Sequence, residues 1–102
     1  MTRVRSKRPL AAEFPALQAF LAGYLHQDFV QEHRTAEGAT RAFHRDANRA
    51  EREQLSEEAA RFLALIETWP WAEVRNGLSD LGAAWRPRSR AALRTVLLQL
   101  TA

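Results

Sequence analysis

The sequence predicts an all-α protein, a compact single-domain bundle of about five helices joined by short loops. Three observations carry that reading. Apolar residues recur at three- and four-residue spacing almost throughout. No stretch alternates apolar and polar residues for four positions without a better helical reading. The chain has 102 residues, 46% hydrophobic and 26% charged, which suits one globular domain and not a disordered segment.

The first helix is expected from about Phe14 to Leu25. Phe14, Leu17, Phe20, Leu21, Tyr24 and Leu25 form its stripe, and Pro15 suits a first turn. Thr35 caps a second helix, with Glu37 favourable in its first turn. Its apolar face is Ala36, Ala39, Ala42, Phe43 and Ala47, and Gly38 weakens it by about 1 kcal/mol relative to Ala. The third helix is the longest, with Leu55, Ala59, Phe62, Leu63, Ile66 and Trp69 on one face and Pro70 as its stop. Two starts fit it. Asn48 caps a helix from about Arg49, or Ser56 caps a shorter one with Glu57 and Glu58 beside the dipole. Trp71, Val74, Leu78 and Leu81 make a short fourth helix, and Gly82 stands where a left-handed cap belongs. Pro87 and Ser89 mark the start of a fifth, whose stripe is Leu93, Val96, Leu97 and Leu100.

Charge is unevenly spread. Residues 1–9 carry Arg3, Arg5, Lys7 and Arg8 with no acid, and residues 81–102 carry Arg86, Arg88, Arg90 and Arg94, again with no acid. Between them, residues 10–80 hold seven bases against twelve acids, a net of −5. The protein reads as an acidic body between two basic ends. Residues 1–9 resemble the basic start of a secretion signal, but Glu13 interrupts the apolar run that would have to follow. They are expected to form a basic flexible tail on a helical domain spanning 10–102, and the protein is expected to be cytoplasmic. No apolar run reaches the ~18 residues of a membrane span.

Little in the sequence points to catalysis. There is no cysteine, which excludes disulfides, thiolate metal sites and Cys nucleophiles. The four serines, Ser6, Ser56, Ser79 and Ser89, lie in no Gly-flanked elbow. His26, His33 and His44 show no i, i+4 zinc spacing, and four scattered glycines make no phosphate loop. No metal, cofactor or enzymatic activity is expected. A rival reading is a small nucleic-acid-binding helical module. Trp85 precedes Arg86, Arg88, Arg90 and Arg94, and on a helix Arg86 and Arg90, or Arg90 and Arg94, share a face that could meet phosphates while Trp85 stacks on a base. The acidic middle argues against it, so nucleic acid is the less favoured partner.

The most distinctive stretch is Tyr24-Leu25-His26-Gln27-Asp28-Phe29, where an apolar helix ends in hydrogen-bonding side chains flanked by aromatics. In bland terms it is a helix end locked by side-chain to backbone bonds. With Phe14-Pro15-Ala16-Leu17 and Phe20-Leu21-Ala22-Gly23 before it, the segment resembles the opening of a family of immunity proteins from bacterial contact-dependent growth inhibition systems. Glu37 to Phe43, Arg52 to Ile66 and Leu78 to Gly82 are compatible with that family's later elements. The sequence departs from the pattern at Leu25, where an aromatic is usual, and at Phe29, where Trp is commoner.

The resemblance implies a small helical protein, without catalytic residues, that binds and neutralises the C-terminal domain of a cognate toxin. The acidic body suits a basic partner. Asp28, Glu32 and Glu37 are the candidate acidic contacts, and Tyr24, His26 and Phe29 accompany them. Trp85, Arg86, Arg90 and Arg94 form the alternative nucleic-acid face. The oligomeric state is left open.

Overall fold

Where each helix begins and ends follows from local chemistry, beginning with Pro15. Proline at a first helical position disfavours helical backbone at the residue before it, so Phe14 stands outside the helix with φ −130° and ψ 61°. The computed structural model describes residues 10–26, 30–31 and 34–101. Within them lie six helices: α1 (Leu10–Glu13), α2 (Pro15–Tyr24), α3 (Ala36–Asp46), α4 (Arg49–Ile66), α5 (Trp71–Asp80) and α6 (Arg90–Leu100). Among the described residues there is no strand. The sixth helix, beyond the expected five, is the single turn α1. The proposed basic tail at 1–9 lies outside the described residues.

Three caps match the sequence reading. The Thr35 hydroxyl accepts from the Gly38 N–H at 2.9 Å, and Ser89 from the Ala92 N–H at 3.2 Å. Asn48 decides the start of α4: its side chain accepts from the Glu51 N–H while Glu51 accepts from the Asn48 N–H, both at 2.8 Å. Glu57 and Glu58 therefore do not stand at a helix start. Glu57 accepts from Arg61 one turn on, at 3.0 Å.

Helix α4 stops at Ile66 and not at Pro70. The Trp69 N–H turns back to the Ile66 carbonyl, and Pro70 instead opens α5. The end of α5 is a Schellman closure. Gly82 takes φ +91°, its N–H bonds Ser79, and the Ala83 N–H bonds Leu78.

Helices α2, α4, α6 and α3 pack in a closed ring, each against its two neighbours, while α1 bridges α2 and α5. Leu17, Phe20, Leu21, Leu55, Phe62, Val74, Leu78, Leu93 and Leu97 fill the interior. Phe14 meets Phe62 edge to face at 5.4 Å, with the Arg61 guanidinium 4.7 Å above the Phe14 ring.

Two buried polar groups tie the ring. Thr40 on α3 donates to the Glu37 carbonyl and contacts the Gln99 side chain of α6 at 3.0 Å. Glu58, only 2% exposed, accepts from the Leu17 N–H at 2.9 Å and from the Gln54 amide at 3.1 Å. Phe14 offers α2 no side-chain cap and Pro15 has no N–H, so a carboxylate from α4 does the capping, with its charge at the positive end of the α2 dipole.

Candidate functional site

Two grooves of similar size and opposite chemistry mark the surface. The first, of about 430 Å³, runs where α2, α3 and the start of α4 meet. Small side chains on the outer edge of α2, Ala16 and Ala19, leave the space. Phe20, Tyr24 and Phe43 line it with aromatic surface, and Asp46, Glu51 and Gln54 bring the polar groups. No base lines it.

The three rings form one cluster. Phe20 and Tyr24, one turn apart on α2, stack at 5.6 Å with 17° between planes. Phe43 meets both edge-on, at 5.5 and 5.7 Å. The Tyr24 hydroxyl donates to Asp46 Oδ2 at 3.3 Å, and the exposed Arg45 reaches Oδ1 of the same carboxylate at 3.3 Å. Burial pushes the Tyr24 phenol above its ordinary pKa. The charge of Asp46 and its hydrogen bond add to the rise, Glu51 adds further, and Arg45 opposes it.

Of the candidate toxin contacts, Tyr24 lines this groove and His26 follows it, half-buried, just beyond the end of α2. Glu37 stands in the first turn of α3, the helix whose last turn supplies Asp46. Asp28, Phe29 and Glu32, together with Gln27 and His33, lie outside the described residues. Asp46 and Glu51, which the sequence reading did not single out, provide the carboxylates here.

The second groove, of about 480 Å³, lies between α5 and the irregular segment 81–89. Trp71, Arg75 and Asn76 line it from the helix, and Trp85, Arg86 and Arg88 from the segment. Both indoles are half-buried and all three arginines exposed. No carboxylate lines it. The segment is held by the Gly82 turn, by buried Pro87, and by the Leu25 carbonyl, which accepts from the N–H groups of Ala84 at 2.9 Å and Trp85 at 3.3 Å.

The expected arginine face is divided. Arg86 and Arg88 precede α6, so Arg86 and Arg90 share no helical face. Arg90 donates to the Ile66 carbonyl at 3.1 Å and also to the Trp69 carbonyl, closing the C-terminal end of α4. Arg94 lies with Arg90 along a smaller depression, of about 250 Å³, that also includes Glu67. Trp71 and Arg75, one turn apart on α5, complete the set with Trp85, Arg86 and Arg88. Their i, i+4 spacing beside Asn76 was the available signal in the sequence.

Among the described residues no three His, Asp or Glu side chains gather to hold a metal, and no helix is long and apolar enough to cross a membrane. A family model described as CdiI immunity protein matches residues 13–94, a span that contains the lining of both grooves. No curated protein and no solved structure matches the chain.

Proposed function

The chain belongs to the CdiI immunity protein family, and on that premise we propose that it binds the C-terminal domain of a cognate contact-dependent growth inhibition toxin in the cytoplasm and neutralises it by direct contact. The role is stoichiometric, with no catalytic step. The observation that carries the reading is the family match over residues 13–94, which runs from the last residue of α1 to the middle of α6 and takes in α2, α3, α4 and α5 whole.

The α2–α3–α4 groove suits the toxin contact. Its aromatic lining and two carboxylates, without a base among them, fit a lysine or arginine side chain of a basic partner. Tyr24, which lines it, His26 and Glu37, with Asp28, Phe29 and Glu32, form the proposed contact set. A stable complex buries about 1,600 Å² in total, so the groove is the centre of the interface and not the whole of it.

Calorimetric titration of the toxin domain into the full chain tests the reading. Nanomolar binding with loss of toxin activity is the expected result. Absence of binding to the cognate domain overturns it.

A further inference from the structure

The groove on α5 plays no part in that reading, and its chemistry calls for a different ligand. We propose that the groove between α5 and residues 81–89 binds single-stranded nucleic acid, with Trp71 and Trp85 as stacking surfaces and Arg75, Arg86 and Arg88 on the phosphates. This goes beyond immunity and does not depend on it.

Three observations carry the assignment. The first is electrostatic. Among the described residues Arg75, Arg86 and Arg88 make no ion pair or hydrogen bond, whereas Arg45, Arg49, Arg61 and Arg90 are all engaged. Three free guanidinium groups beside one cavity with no carboxylate in its lining hold an anion well. Glu73 and Asp80, the acids on the same helix, stay out of the lining, and each is already engaged.

The second observation is the pair of indoles. Indole faces are sequence-tolerant platforms for unpaired bases, each stack being worth a measurable share of affinity. An acidic peptide would use the guanidinium groups and leave the indoles without a planar partner. A duplex would hide its base faces, so single strands fit best. Asn76 and Ser79 add hydrogen-bonding groups between the two indoles' elements.

The third is preorganisation. The Schellman turn at Gly82, buried Pro87 and the doubly bonded Leu25 carbonyl hold residues 83–88 in place before any ligand arrives. Little ordering entropy then remains to be lost on binding.

The test is fluorescence anisotropy of a short labelled oligouridylate titrated with the full chain, with oligothymidylate run beside it. Three phosphate contacts at about −0.7 each give a salt slope of about −2, so a fourfold rise in salt weakens binding about twentyfold. The double variant Arg86→Glu, Arg88→Glu should lose at least ten times the wild-type affinity. Arg49→Glu, on the exposed face of α4, should keep it. Both altered segment residues are exposed and outside helices, so circular dichroism of the variant should match wild type. Arg75→Gln gives a second, milder loss if the double variant does not fold.

Inorganic polyphosphate and polyglutamate probe the alternatives. Tighter binding of the oligonucleotide than of either supports stacking. Equal or tighter binding of polyphosphate or polyglutamate overturns the nucleic-acid assignment. So does absence of wild-type binding, or an unchanged affinity in the arginine variants.

Discussion

The groove at the α2–α3–α4 junction is lined by helices apart from Ala47 in the α3–α4 link, whereas the groove on α5 borrows one wall from a segment with no repeating backbone hydrogen bonds. The first is held by ring packing and by Glu58, a carboxylate from one helix capping another. The second depends on a few individual bonds: the Gly82 turn, the Leu25 carbonyl and the nearby Arg90 clamp. Helical walls distribute their support over many contacts, while an extended wall concentrates it. Single substitutions should therefore separate the two regions.

Glu58→Ala should have the largest effect. It leaves the Leu17 N–H unmatched inside the core and opens space between α2 and α4, at a cost of about 3 kcal/mol in chemical denaturation. Glu58→Gln, which keeps an acceptor, should recover more than half. Equal losses for the two variants would show that volume, not capping, holds the first region together.

Gly82→Ala comes next. The new side chain would sit at φ +91° with its Cβ 3.1 Å from that of Ala22, at a cost of about 2 kcal/mol. Tryptophan fluorescence should change with it, because Trp85 rides on the displaced segment, while the Tyr24 environment stays as it was. A Tyr24 response of the same size would break the separation of the two regions.

Arg90→Ala removes two bonds to the end of α4 and should cost about 1–2 kcal/mol. Arg90→Lys, which lacks the planar fork, should restore little of that.

The smallest effect is also the sharpest. Tyr24 is the single tyrosine, so phenolate absorbance reports it alone. Because the folded pKa lies above the ordinary tyrosine value, this group's contribution to stability is present below that value and lost as pH rises through the folded pKa. Asp46→Asn should bring the titration back toward the ordinary value by removing a charge and weakening a hydrogen bond. Burial, the larger cause, should keep it from returning fully.

What could be read from the sequence was what depends on neighbours in the chain. Thr35, Asn48, Ser89 and Gly82 act within one turn of their own helices, so residue type and spacing identify them. Leu17, Phe62 and Leu97 could be placed in the core by period alone. Glu58 could not be placed, because its partner lies 41 residues away and nothing local separates a buried glutamate from the exposed Glu57 beside it. Arg90 looked like one of four equivalent bases until the end of α4 was brought against it, 21 residues off.

The site shows the same division. Tyr24 and Trp85 stand out in sequence as aromatics beside polar runs. Their groove partners, Asp46 and Glu51 for one and Trp71 and Arg75 for the other, come from helices whose approach only packing decides.

The Leu25 carbonyl has a kinetic consequence. One oxygen serves two amides, Ala84 and Trp85, across most of the chain's length. Neither amide can be released by moving Leu25 without releasing the other, so a single opening event exposes both to solvent deuterium. In hydrogen exchange they should behave as one clock, read on one segment and set at the end of the helix that carries Tyr24.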